Sequence, residues 1–323
     1  SEITARYKAR LSQGDSLTDL TGGFGIDCSF LATGFKSATY VERQEELCEI
    51  AAHNFPILHL NHINVRNEDG VAYLQTMSPV DCIFLDPARR NEHGGKTVSI
   101  ADCEPNVAEL EDLLLSKASR IMIKLSPMLD LSLALKELKH TQEVHILSVN
   151  NECKELLILL GQTSPAEITI HCVNLFTKGT QEEQHFVFTR EQEQRSQCTY
   201  TDSLGDYLYE PNASLLKAGA FRSIAAAYPV RKLHPNSHLY TSDTFIENFP
   251  GRIFRIVNQC SFNKKEVKEN LADLKKANVT VRNFPATVAE LRKRIHLAEG
   301  GDTYLFASTL NNGQKVLIRC EKV

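Results

Sequence analysis

Apolar positions in the first half of the chain come in short runs, each followed by a stretch with helical spacing. Residues 16–20 form an apolar run that closes on Asp19 and Leu20, and 26–31 set Ile26, Phe30 and Leu31 on one helix face. Residues 38–41 read as a short strand ending in Glu42, and 45–54 as a helix stopped by Pro56. A third strand, 63–65, leads into Asn67, Glu68 and Asp69, and 70–75 continue as a helix. A strongly apolar fourth strand, 81–85, runs into Asp86-Pro87. Helix 109–116, strand 120–125 and helix 131–138 follow, with Ser126-Pro127 after the strand. This alternation predicts an α/β fold with an open parallel sheet and helices on both faces. Residues 144–150 read as a further strand and 153–160 as a helix. Runs 167–175 and 185–190 predict an antiparallel hairpin that finishes the sheet.

The rhythm then changes. Residues 191–203 are polar, hold three Gln, and make the best linker candidate. A helix is expected at 213–219 behind Pro211-Asn212, and 229–239 read as loop. The tail predicts strand 252–260, helix 264–277, strand 279–282, helix 287–296, and strands 304–308 and 315–320. Asn311-Asn312-Gly313 between the last two is a strong hairpin signal. The tail is thus expected to form a small α+β domain.

Composition narrows the class. At 323 residues, 42% hydrophobic and 24% charged, the chain has enough material for two domains and a sizeable core. No apolar run approaches the ~18 residues of a membrane span, and the opening residues do not read as a secretory signal. Only about a dozen residues precede the first strand, and whether an N-terminal region is missing is not legible in the sequence. Nine cysteines are scattered without a Cys-x-x-Cys pair or a His at ligand spacing, which predicts reduced, mostly buried thiols, a cytoplasmic location and no metal. The net charge of −4 is unevenly spread. From Phe249 onward there are fourteen Lys/Arg against seven Asp/Glu, leaving twenty-two against thirty-three before it. A basic tail behind an acidic front suits a polyanion partner; solvated helix faces are the plainer explanation.

The candidate chemistry gathers at the ends of successive strands, where open α/β sheets bind ligands. Asp19-Leu20-Thr21-Gly22-Gly23-Phe24-Gly25 is a Gly-rich turn into a helix. Glycine there takes positive φ and lets a ligand approach the backbone. Glu42 follows seventeen residues after Gly25 and suits the two hydroxyls of a ribose, because an ionised carboxylate only accepts. An acid or amide among residues 67–69 suits an adenine amino group. Together these fit S-adenosylmethionine or a dinucleotide. A dinucleotide loop follows Gly-x-Gly-x-x-Gly, whereas here the glycines stand at 22, 23 and 25 behind Asp19. An acid at that point repels a pyrophosphate and suits the ammonium of a methionine moiety. Asp86-Pro87 places a carboxylate and a carbonyl where they can accept from a target amino group; an ordinary turn is the competing explanation. Arg89 and Arg90 are candidates for phosphate or base contact. Residues 91–96 read as a mobile loop, with His93 a surface residue.

These stretches, DLTGGFGID, YVE, NED and LDPARR, resemble the class I SAM-dependent methyltransferases over about residues 10–190. The resemblance implies a cofactor site of Asp19, Thr21, Gly22, Gly23, Phe24, Gly25, Asp27, Glu42 and Glu68 or Asp69. It implies catalytic roles for Asp86, Pro87 and Arg89, with Arg90, Lys124 and Ser126 on the substrate side. More narrowly, the chain resembles a bacterial methyltransferase family related to trimethylguanosine synthase, with a C-terminal ferredoxin-like segment and a THUMP-like domain. That implies domains at 1–195, 200–248 and 249–323, and an RNA substrate.

The chain also departs from the pattern. Exocyclic-amine methyltransferases usually follow Asp/Asn-Pro with Pro and an aromatic, and Ala88 and Arg89 stand there instead. A guanidinium plane can stack on a base, so base methylation remains the expectation. Asp-Pro-Ala-Arg also resembles the uracil-C5 methyltransferases, whose nucleophilic Cys would fall at Leu125, so covalent catalysis is excluded. The expected function is SAM-dependent methylation of a guanine amino group in RNA. The alternatives are an RNA-binding or assembly protein that keeps the fold, and a methyltransferase for proteins or small molecules. Oligomeric state is not legible.

Overall fold

A computed structural model describes residues 1–89, 99–180 and 182–323, with Arg89 described by its backbone alone. The expectations for Arg90, His93 and the 91–96 loop therefore lie outside the described residues. The chain divides into two compact units, Ser1–Arg190 and Glu191–Val323.

The first unit opens with helix α1 (Glu2–Ala9), then strand β1 (Gly14–Asp19) and helix α2 (Ile26–Leu31). Next come β2 (Phe35–Glu42), α3 (Glu45–Ile57), β3 (Ile63–Asn67), α4 (Gly70–Thr76) and β4 (Val80–Leu85). Two short strands, β5 (Ala88–Arg89) and β6 (Cys103–Glu104), pair with each other. After α5 (Val107–Lys117), β7 (Ala118–Leu125) and α6 (Leu131–Glu137), the unit closes with β8 (Thr141–Val149), β9 (Glu152–Gly161), β10 (Thr169–Leu175) and β11 (Glu183–Thr189).

Nine of these strands form one sheet in the order β11-β10-β8-β9-β7-β4-β1-β2-β3. Strands β3, β2, β1, β4 and β7 run parallel. The chain winds outward from β1 in one direction and from β4 in the other. The switch between them opens a crevice at their carboxyl ends, where Asp19 and Asp86 stand. Leu17, Leu31, Phe35, Phe84, Met122 and Leu159 pack one buried core. Helix α1 covers the far end through Tyr7, which packs with Leu147, Leu157, Val173 and Leu175.

Two expectations are corrected. Residues 153–160 are not a helix but most of β9, antiparallel to both β7 and β8. Leu156–Leu160 are all buried; a strand covered on both faces is apolar throughout and loses the alternation that marks it. Helix α3 runs through Pro56 to Ile57 rather than stopping before it. The hairpin β10–β11 forms as expected, antiparallel from Thr169↔Thr189 to Leu175↔Glu183.

Helix α7 (Arg190–Arg195) stands at the start of the expected linker. The second unit adds β12 (Tyr207–Pro211), α8 (Ala213–Ala218), α9 (Phe221–Ala227), β13 (Arg231–Lys232) and β14 (Tyr240–Ser242). It ends with β15 (Gly251–Ser261), α10 (Lys264–Leu271), β16 (Asn278–Val281), α11 (Val288–Ile295), β17 (Thr303–Thr309) and β18 (Lys315–Lys322). Helix α10 stops six residues short of the expected end. All seven strands share one sheet, β13-β14-β12-β15-β18-β17-β16. Leu271 and Leu291, from α10 and α11, pack on one face with Leu305 and Leu317. Leu208, Phe254, Phe306 and Ile318 form the core of the other. The turn at Gly313 (φ 86°) joins β17 to β18 as the Asn-Asn-Gly signal predicts.

Candidate functional site at the β1–β4 crevice

The Gly-rich turn is built by close packing. A Cβ on Gly22 would sit 2.2 Å from the Tyr40 ring, so only glycine lets the turn lie against β2. Gly23 and Gly25 take φ of 53° and 73°, and the Gly25 N–H closes the turn on the Gly22 carbonyl at 2.8 Å. The Tyr40 hydroxyl donates to the Gly23 carbonyl. Glu42 holds the preceding peptide: its Oε2 accepts from the Gly23 N–H and its Oε1 from the Gln44 N–H, both at 2.9 Å. Asn67 braces that strand end by donating to the carbonyls of Glu42 and Arg43. Asp69 caps α4, its Oδ1 accepting from the Val71 and Ala72 N–H groups at 3.0 Å. Across the crevice, the Asp86 N–H donates to Thr21 Oγ1 at 2.6 Å.

These elements enclose a cleft of about 470 Å³. Of the predicted site residues, Thr21, Gly23, Glu42, Asp69 and Asp86 line it together. The others stand elsewhere. Asp19 is buried under the turn, its Oδ1 accepting from the Thr21 N–H at 2.9 Å. Gly22 and Gly25 shape the turn. Phe24 points to solvent, 69% exposed, and Glu68 is exposed. Pro87 is buried. Ser126 follows β7, where its Oγ accepts from the Met128 N–H.

Asp27 and Lys124 belong to a buried ion network rather than to the cleft wall. Lys124 Nζ lies 2.6 Å from Asp86 Oδ2 and 2.9 Å from Asp27 Oδ2. Asp27 Oδ1 in turn meets Lys8 Nζ at 3.0 Å, and Lys8 meets Glu155 at 2.5 Å. Lys8 is fully buried on α1. Burial pulls the Lys124 ammonium down, but Asp86 and Asp27 outweigh it and hold the group charged well above its usual range. Burial pushes Asp27 up, yet Lys8 and Lys124 prevail and keep it ionised. Asp86 is raised by burial in spite of Lys124. Asp19 is pushed up to about 8 by burial, with Asp27 and Asp86 adding to the effect.

Sequence reasoning missed part of the site. Glu104, Pro105, Asn106, Glu109 and Leu110 also line the cleft. The Asn106 side-chain Oδ1 is buried with no hydrogen-bond partner among the described residues. Asn106 precedes α5 and reads in sequence as an ordinary cap. Lys8 carried no signal at all, because a lysine on a short polar helix looks solvated.

The charge of the cleft is distinctive. Among the described residues, its charged lining is Glu42, Asp69, Asp86, Glu104 and Glu109 against Arg43. Arg43 pairs with Glu104 at 3.1 Å. Such a lining excludes a pyrophosphate and favours a cation.

Comparison with known proteins agrees with this architecture. The family model of a ferredoxin-like domain matches residues 207–250, and that of a THUMP-like domain matches 251–322. The two matched segments share one sheet, joined where β12 pairs with β15. A solved structure described as a "putative methyltransferase" from Porphyromonas gingivalis W83 is 38% identical, with a TM-score of 0.91. The match covers 100% of this chain and 81% of that one. An rRNA methylase from Streptococcus thermophilus overlaps 49% of this chain and 93% of its own at 13% identity and TM-score 0.35. A Streptococcus mutans "putative methyltransferase" in complex with SAH overlaps 50% and 96% at 12% identity and TM-score 0.35. Likenesses of that size carry no weight for function. No curated protein matches the chain.

The fold and the placement of the cleft define a class I methyltransferase. The chain belongs to the family of the Porphyromonas gingivalis protein, with ferredoxin-like and THUMP-like segments at its C-terminal end.

Proposed function

We propose that the protein transfers a methyl group from S-adenosylmethionine to a base in RNA, a guanine exocyclic amine first among the candidates. The observation that carries the cofactor reading is the acidic cleft, five carboxylates against one guanidinium among the described residues. S-adenosylmethionine is a sulfonium and an ammonium on an adenosine, and it supplies an electrophilic methyl group.

The residues present fit that molecule. A Cβ on Gly23 would meet only the Thr21 carbonyl, at 3.8 Å, so the space beside this backbone is open to a ligand. Glu42 already accepts two backbone N–H groups, and a carboxylate has about four acceptor positions, so two remain for ribose hydroxyls. Asp69 uses one oxygen on α4 and keeps the other. The orphaned Asn106 Oδ1 suits an amino group such as that of adenine. Asp19 acts through Thr21, ordering the turn from below.

Asp86 is the acceptor for the target amine. Lys124 takes its Oδ2, and the side chain keeps 41% of its surface exposed. Lys124 opposes the effect of burial on that carboxylate and fixes its position, and alignment is most of what transfer from a sulfonium requires. The RNA reading rests on the THUMP-like match and on the exposed cations of the second unit. Nucleoside mass spectrometry of total RNA from cells lacking the gene tests it. The expected result is one methylated nucleoside lost and restored on complementation; identical profiles would overturn the RNA assignment.

A further inference from the structure

Three histidines stand side by side on the sheet face that α1 covers, well away from the β1–β4 crevice in the strand order. His145 on β8 and His171 on β10 are direct register partners. Their rings stack at 4.2 Å with 7° between planes. His185 on β11 follows, with its Nε2 3.2 Å from His171 Nδ1. Glu143, two residues before His145 on the same face, lies 3.2 Å from His145 Nε2 through its Oε2. His145 is 2% exposed, and its Nδ1 meets the Tyr7 hydroxyl of α1 at 2.8 Å.

We propose that Glu143, His145 and His171 form a binding site for a divalent transition-metal ion, with zinc the ion that the donor set suits. The ligand atoms of the three lie within 4.8 Å of one another. A tetrahedral zinc with bonds near 2.0–2.1 Å holds neighbouring ligand atoms about 3.3 Å apart. The Glu143–His145 pair already has that spacing. The outer partners point the same way. Tyr7 occupies Nδ1 of His145 and His185 occupies Nδ1 of His171, so Nε2 is the lone pair left for a ligand on each ring. Metal-bound histidines characteristically hold their second nitrogen in this manner, which fixes tautomer and orientation.

Two features define what binding must change. Parallel rings do not aim their lone pairs at one point, so the half-buried His171 turns about χ2 on binding. Arg120 approaches Glu143 at 4.0 Å and gives way. Two imidazoles and one carboxylate leave a fourth position for water. The ion would tie β8 and β10 together beside Tyr7 and stabilise the fold by mass action. The four residues are scattered over three strands, so no spacing in sequence announces them.

The test is calorimetric titration of the chelator-stripped full chain with zinc chloride, repeated with cobalt(II) read by visible absorption. The expected result is saturation at one equivalent per chain and a cobalt spectrum without a thiolate charge-transfer band. His171→Ala should weaken binding at least tenfold, and Tyr7→Phe by roughly tenfold as an outer-partner loss. His171 is only partly buried, so its removal leaves the fold intact, and circular dichroism checks this. No stoichiometric saturation, wild-type affinity in His171→Ala, or a thiolate band that places the ion on cysteines would each overturn the proposal.

Discussion

The two units handle charge in opposite ways. In the first, acids exceed cations among the described residues of a cleft, and one of them, Asp86, belongs to an inner network in which Lys8 and Lys124 tie Asp27, Asp86 and Glu155 into one chain of contacts. In the second, the buried Glu210 is neutralised by Arg252 and Arg282. Six further cations, Lys264, Lys265, Lys275, Lys276, Lys293 and Arg294, stand exposed on and around α10 and α11. A buried charge arrangement is rigid and selects a small ligand by sign and position. An exposed one is mobile and screened by salt, and attracts a polyanion without choosing its sequence. Under the proposed function the first recognises a cationic cofactor and the second its RNA.

Substitutions can break this comparison at either end. The largest effect is expected from Asp86→Ala, which should lower methyl transfer by about 10²-fold or more. Affinity for S-adenosylhomocysteine should stay within a few-fold, measured by single-turnover assay beside calorimetry. Lys8→Met should follow. It strands Glu155 in the interior and leaves Asp27 with Lys124 alone of its two cations; loss of one partner of a buried pair costs about 3–5 kcal/mol. Urea unfolding measures this, and the double variant Lys8→Met/Glu155→Leu should recover part of the loss.

In the second unit, replacing Lys264, Lys265, Lys293 and Arg294 with Ala should weaken RNA binding. It should also flatten the dependence of log affinity on log salt by about 0.7 per lost single-strand phosphate contact. A Kd for S-adenosylmethionine that moves with these changes would contradict the division of labour.

Asn106→Ala should cost the cofactor roughly 1 kcal/mol, the net worth of one hydrogen bond, seen as a several-fold rise in Kd. A further effect concerns pH. Asp19 has its folded pKa raised to about 8, far above the ~3.9 of an unfolded aspartate. Between these values the native state binds the extra proton, so this group makes stability fall as pH rises from about 4 to 8. Relative to Asp19→Asn, the wild type should lose melting temperature across that window and level off above it.

Much of the first unit was legible because its strands end in chemistry. The strand-end residues Glu42, Asp69 and Asp86 could be placed from short apolar runs and the polar residues behind them, and the cleft brings them together. Strand β9 was not legible, since burial on both faces erases period-two alternation and leaves an apolar run that fits a helix as well. Asn106 and Lys8 were hidden for a different reason. Each acquires its meaning from a distant partner, a cleft wall in one case and Asp27 with Glu155 in the other. The sheet of the second unit adds a practical point. Because β12 pairs with β15, cutting the chain near residue 249 would split that sheet, so point substitutions test the basic surface more cleanly than truncation.

Under the proposed function, the acidic cleft takes S-adenosylmethionine. Isothermal titration of the full chain with S-adenosylmethionine and S-adenosylhomocysteine, and with NAD as the anionic comparison, tests it most directly. One site per chain is expected for the first two, with loss of affinity in Glu42→Ala and no heat with NAD. No heat with either adenosyl compound, or saturable binding of NAD, would contradict it.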